Sequence, residues 1–205
     1  MGRRELIADA GIRLIACGGT HRLTHRHVDA EAGLAAGSTS YYARTRRDLI
    51  ALVANRLSEL SRVDAVRVRV PRRLDLDEAA DLIEELMIRM AGRRDAQAAR
   101  FALLFEVRND EELRALLTAN APVRADFGQI ASEFLSAVGA PDPGRAEELV
   151  ALLDALLMYR AVEAAPLDVR AVVTAYLVGM TAQGVKAQDD GRDPGCSAHS
   201  GAGGA

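Results

Sequence analysis

Apolar residues recur at three- and four-residue intervals along nearly the whole chain, and this spacing predicts helices almost everywhere. A first helix is expected over about 3–17, with Leu6, Ile7, Ala10, Leu14 and Ile15 on one face and Gly18-Gly19 as its stop. Thr24 reads as the N-cap of a second, short helix over about 25–32. Leu23 before it and Val28 inside it have the spacing of a hydrophobic staple, and Gly33 ends the helix. A third short helix is expected over about 36–42. Thr45-Arg46-Arg47-Asp48 has the pattern of a capping box and opens a long fourth helix that runs to about residue 63.

Beyond it, Val66-Arg67-Val68-Arg69-Val70-Pro71 alternates with period two, but no second segment offers itself as a partner strand. An extended linker or a frayed helix end fits that stretch better. Helices follow at about 76–91, 95–108 and 110–138, the last bent at Pro122. Ala140-Pro141-Asp142-Pro143-Gly144 is a break, and two final helices are expected at about 144–164 and 167–187, separated by Pro166. From Asp189 to Ala205 the chain is rich in Gly, Ser and Ala without periodicity, which predicts a disordered tail. The expected fold is all-α with about nine helices. Its parts are an N-terminal three-helix head over 1–46, a larger helical body over 47–188, and the tail over 189–205.

Composition changes this picture in one respect. The 205 residues carry a formal net charge of -3, which conceals a division. Residues 1–50 hold eight Arg against five acidic residues and three of the four histidines, whereas the remainder is acidic on balance. A basic head on an acidic body points to a polyanion as the head's partner. Lys186 is the only lysine, a bias that fits GC-rich coding as well as function. No apolar run approaches the roughly 18 residues of a membrane helix, and Met1-Gly2-Arg3-Arg4-Glu5 leads into no signal-peptide core, so a cytoplasmic protein is expected. Cys17 and Cys196 lie too far apart for a metal motif. His21, His25 and His27 fall in a turn and on different helix faces, so no metal site or cofactor is expected.

Two short helices joined by Ala32-Gly33-Leu34-Ala35 have the form of a helix-turn-helix, which can place its second helix in a DNA major groove. Three segments go further: Thr24 through Leu34, Gly37-Ser38-Thr39-Ser40-Tyr41-Tyr42, and Arg44-Thr45-Arg46-Arg47-Asp48-Leu49. Together they resemble the DNA-binding head of TetR-family transcriptional regulators over about residues 3–53. The family usually has Ser or Thr at the position of Ala35, capping the recognition helix, so that helix is expected to be looser here. Aromatic residues common in the family around Ser40 and Ala43 are replaced by small ones, thinning the packing beneath the helix.

The resemblance implies roles residue by residue. Thr24 and His25 would face phosphate at the start of the second helix, and Arg26 would reach a guanine. Ala36, Gly37, Ser38, Ser40 and Tyr42 would lie on the groove-facing surface, with Tyr41 on phosphate or sugar. Arg46 would clamp phosphate beside Arg44, and Arg3 and Arg4 would form a short arm on the backbone.

In the body, Leu149, Leu152, Leu153, Leu156, Val172, Val173, Tyr176, Leu177 and Met180 make the last two helices apolar on more sides than one neighbour needs. That suggests a four-helix interface with a second copy, as the resemblance also implies. Met87, Met90, Phe101, Leu104, Phe105, Phe127, Phe134, Met158 and Tyr159 could line an effector pocket of the kind the family holds there, with Arg100, Arg108, Asn109 and Glu163 as polar anchors. The implied function is a ligand-responsive, DNA-binding regulator: a repressor released from a palindromic operator by a small-molecule effector. The rivals are an all-helical small-molecule-binding protein or enzyme, and a dimeric adaptor with a degenerate head. The enzyme reading has no nucleophile–base pair, metal set or phosphate loop to support it.

Overall fold

The computed structural model describes residues 2–118, 121–140, 142–164 and 166–189. Among them it contains ten α-helices and no strand: α1 (Arg3–Gly18), α2 (His25–Glu31), α3 (Ser38–Tyr42), α4 (Arg46–Ala65), α5 (Leu76–Ala91), α6 (Arg94–Glu106), α7 (Glu111–Leu117), α8 (Pro122–Ala137), α9 (Ala146–Ala161) and α10 (Val169–Asp189). The extra helix comes from the segment expected to be one bent helix over 110–138. It is two helices, because Pro122 takes the first position of α8, where its missing N–H costs nothing, instead of kinking a continuous helix. The alternating segment after α4 is a turn at Val66-Arg67 followed by extended chain. Apart from Asp189, which closes α10, the expected tail lies outside the described residues.

Local signals act as the sequence suggests. Thr24 accepts a hydrogen bond from the His27 amide at 3.3 Å, and Leu23 and Val28 are both fully buried beneath α2. Thr45 and Asp48 bond reciprocally, the Asp48 amide to the Thr45 hydroxyl at 3.0 Å and the Thr45 amide to the Asp48 carboxylate at 2.9 Å. Each such cap satisfies helix-end amides that the helix itself leaves unpaired.

Two apolar cores organise the chain. One gathers Ile7, Leu14 and Ile15 of α1 with Leu23, Val28, Leu49, Val53 and Leu57, and continues into Ala99, Leu103, Val107, Leu113 and Leu117 of the body. The head therefore rests on α6 and α7. The other joins α5, α8, α9 and α10 through Ile83, Met87, Phe134, Leu135, Leu149, Leu157, Val173 and Leu177. At the seam, Arg93 donates from both terminal nitrogens to the buried Asp64 carboxylate, at 2.7 and 3.1 Å, and also to the Leu60 carbonyl. This fixes the C-terminal end of α4 against the α5–α6 corner.

Five of the nine residues expected at an interface on the last two helices face inward instead. Leu149, Leu156, Val173, Leu177 and Met180 are buried inside the protomer, because α9 packs on α8, α6 and α5, and α10 lies along α5. Leu152, Leu153, Val172 and Tyr176 are half-buried on the same core. The faces left open carry other residues: Ala151, Ala155, Tyr159 and Val162 from α9 and its end, and Ala171, Ala175, Val178, Gly179 and Ala182 on α10.

Candidate functional site

The head builds its recognition element around one carboxylate. Asp29, on α2 and only 4% exposed, accepts from the Thr39 amide at 2.8 Å, the Thr39 hydroxyl at 2.6 Å and the Gly37 amide at 2.8 Å. Burial pushes this carboxyl up, but the bonds from Thr39 and Gly37 outweigh it, and its pKa lies below the usual carboxylate value. Asp29 thus caps α3 from the neighbouring helix. The looseness expected from Ala35 is offset by a residue the sequence reading passed over. The signal was there: a lone acid facing inward on a short helix needs partners.

Gly37 takes φ of +88° and Gly33 φ of +65°, conformations that favour glycine at the two corners of the motif. Ala43 is buried and the His25 ring donates from Nε2 to its carbonyl at 2.7 Å, tying the start of α2 to the end of α3. The His27 ring donates to the Arg22 carbonyl at 3.0 Å.

The residues expected at DNA divide by environment. Arg3, Arg4, Thr24, Arg26, Ala36, Gly37, Ser40, Tyr41, Arg44 and Arg46 are all exposed, with Tyr41 at 84%. The remaining three are half-buried: His25 as described, Ser38, whose hydroxyl donates to the Ala35 carbonyl at 2.6 Å, and Tyr42, which packs on the head core. Arg46 is held across the seam. It donates to Glu106 at 2.8 Å and to the Thr20 carbonyl at 3.2 Å, while the Thr20 hydroxyl donates to the same Glu106 carboxylate at 2.9 Å. Arg47 beside it donates twice to Asp110, at 3.0 and 3.1 Å, and once to Glu112 at 2.5 Å. The Arg47 bonds hold the Asp110 carboxyl below the usual range.

Inside the body lies a cavity of about 520 Å³. The long helix α4 contributes Ala54, Leu57, Ser58 and Ser61, and α5 contributes Met90. From α6 and α7 come Arg100, Leu104, Leu116 and Leu117, and α8 and α9 close it with Val123, Arg124, Phe127, Glu147, Val150 and Asp154. Of the residues expected in an effector pocket, Met90, Leu104 and Phe127 line this space. Met87 and Phe134 line a separate, much smaller void of about 40 Å³ that Met90 and Phe127 also border. Phe101 is buried in the core with the Arg100 cation 5.0 Å from its ring centre. Phe105, Arg108, Met158 and Tyr159 do not border the cavity. Phe105 is 66% exposed, one position round α6 from the inward Leu104, and Arg108 donates to its carbonyl. Of the four expected anchors only Arg100 lies at the cavity, and Glu163 instead faces Arg94 at 3.4 Å. The polar groups that sequence missed, Ser58, Arg124, Glu147 and Asp154, come from helices far apart in the chain. No local pattern brings them together.

A helix-turn-helix head standing on an all-helical body with a cavity between its helices defines the class of ligand-responsive DNA-binding regulators. Residues 74–183 match the family model described as the tetracyclin repressor-like C-terminal domain. The chain belongs to the TetR family of transcriptional regulators. Among solved structures, the multidrug binding protein EbrR complexed with ethidium is similar over 87% of this chain and 98% of its own, at 24% identity and a TM-score of 0.68. EbrR complexed with malachite green aligns at 26% identity over 88% and 98%, with a TM-score of 0.62. A TetR-family member from Streptomyces coelicolor A3 aligns at 26% identity over 88% and 98%, with a TM-score of 0.64. A transcriptional regulator from Rhodococcus sp. Rha1 shares the fold, at 19% identity over 89% and 97% and a TM-score of 0.69. No curated protein sequence matches significantly. Among the described residues no helix is long and apolar enough to cross a membrane.

Proposed function

We propose that this chain is a homodimeric repressor that leaves a palindromic operator when a small molecule enters the body cavity. The observation that carries this reading is the preformed head. Asp29 locks α3, and Ala36, Gly37, Ser40 and Tyr41 stay exposed on or beside it. In this reading Arg26 reads a guanine edge, Thr24, Tyr41, Arg44 and Arg46 hold the backbone, and Arg3 and Arg4 extend the contact. His25, Ser38 and Tyr42 serve first to shape the head. A degenerate head finds no support in Ala35 and Ala43, since Asp29 supplies the cap and Ala43 fills core space.

Two heads reading half-sites one duplex turn apart require a dimer. The open stripes Ala151, Ala155, Tyr159 and Val162, and Ala175, Val178, Gly179 and Ala182, are the surfaces we assign to it. The effector acts through the α6–α7 corner. Leu104, Leu116 and Leu117 border the cavity, and Glu106, Asp110 and Glu112 of the same corner hold Arg46 and Arg47. Displacing the corner moves α4 and with it the spacing of the two heads. The effector must bind the displaced state more tightly, since equal affinity for both shifts nothing. The small-molecule complexes of EbrR, at 26% identity, support a chamber with this use.

The test is selection from random duplexes with the full chain at physiological salt. A palindromic motif is expected, and only weak, sequence-indifferent binding would sink the regulator reading. Arg26→Ala should relax preference at one base step in each half-site, and unchanged specificity would remove it from the base-reading set.

A further inference from the structure

The cavity's two arginines keep hydrogen-bonding capacity that its two carboxylates do not use. Arg100, with 18% of its side chain exposed, donates to Asp154 at 2.8 Å. Arg124 approaches the same carboxylate at 3.8 Å and pairs also with Glu147. Glu147 is 63% exposed at the rim, so water screens its charge. Arg100 is thus the most deeply placed charge of the lining, and Arg124 lies between Asp154 and the rim. A guanidinium has five N–H donors, and Arg100 makes one hydrogen bond among the described residues. Across the chamber, Ser58 and Ser61 of α4 contribute to the lining. Guanidinium donors left spare beside apolar walls are completed best by an acceptor that carries charge.

We infer that the effector is a lipophilic carboxylate, a hydrocarbon or aromatic body carrying one negative charge, bound with its carboxylate between Arg100 and Arg124 and its body along Met90, Leu104, Phe127 and Val150. This rests on the reading of the cavity as the effector site. Guanidiniums bind carboxylates through charge-assisted, often paired hydrogen bonds. A chamber of about 520 Å³ is within the range of small-molecule sites. A cationic lipophile finds no vacancy here, because Asp154 already faces two guanidiniums.

Three probes of equal chain length separate the charges: decanoate, decanol and decylammonium, titrated by calorimetry into the full chain without DNA. Decanoate should bind about tenfold tighter than decanol, and decylammonium more weakly than either. Arg124→Met leaves the Arg100–Asp154 pair in place and strands only a rim carboxylate. It should bring decanoate down to the decanol affinity while decanol itself is unchanged, which also reports that the variant is folded. Equal binding of decanoate and decanol, preference for decylammonium, or binding of none of the three would overturn the inference. The selection from random duplexes is scored separately. A palindromic motif with a cation-preferring cavity removes the carboxylate and keeps the regulator, and the reverse result does the opposite.

Discussion

The buried carboxylate of Asp29 in the head has three donors on it, whereas the buried hydroxyl of Ser58 in the body has none. The pattern extends beyond this pair. The described buried side-chain polar atoms without a partner belong to Ser58, Arg89, Gln97, Thr174 and Tyr176, all outside the head. Ser58 borders the cavity, and Thr174 and Tyr176 lie on α10, next to the open stripe assigned to a second copy. Buried polar groups in proteins are normally satisfied, so the contrast separates a head whose described buried polar groups all have partners from a body in which several do not. The head presents a fixed surface to DNA. The body is left able to change.

The comparison breaks first at the seam if the head folds without the body. Leu103, on α6 and fully buried, sits in the core that the head shares. Leu103→Ala should cost about 3 kcal/mol in denaturant unfolding and weaken operator binding as well as effector binding. Loss of effector binding alone would mean that the head stands independently.

Asp29→Ala sharpens the comparison from the other side. It strands two amides and a hydroxyl and should destabilise the head by about 2 kcal/mol. Operator affinity should fall while calorimetric binding of a cavity ligand persists. Equal loss of both would show that the cap supports the whole chain rather than α3.

A smaller effect is expected at the junction arginine. Arg46→Ala should weaken binding to all duplexes alike and lower the salt slope by about one. Glu106→Gln releases the same guanidinium and should raise affinity a few-fold, with stability changed by less than about 0.5 kcal/mol because the pair is exposed. A changed base preference in either variant would contradict a backbone role for Arg46.

The smallest difference is one of pH. The folded head holds the Asp29 carboxyl below its ordinary pKa, so its contribution is complete above the ordinary value of about 4 and is lost as pH falls through the lower folded value. Below about pH 4, Asp29→Asn should therefore flatten the acid loss of stability. An unaltered acid limb would assign that limb to other carboxylates, of which Asp48, Asp110 and Glu148 are also depressed.

Most of the head is legible in order along the chain. Thr24 with His27, Leu23 with Val28, and Thr45 with Asp48 act within five residues of one another, so spacing alone finds them. The substitute cap by Asp29 acts across eight to ten residues and between helices, beyond the reach of a local spacing pattern. In the body, periodicity located the helices but not which side of each faces which neighbour. Leu104 turns into the cavity and the adjacent Phe105 into solvent. Leu149, Val173 and Leu177, apolar enough for an interface, are consumed by the protomer's own core.

By itself, then, the sequence determined an all-helical chain, a basic helix-turn-helix head on an acidic body, and the family resemblance that residues 74–183 sustain. Those properties follow from helical period, caps and charge, which are written in neighbouring residues. The tertiary structure alone decided that the head's core runs into α6 and α7, that Arg46 and Arg47 answer to acids some sixty positions away, and that Ser58, Arg100, Arg124 and Asp154 meet in one chamber. The physical reason is that burial and charge pairing depend on which helix faces oppose each other. That choice is made by the packing of the whole chain, where each apolar face settles against whichever neighbour covers it best.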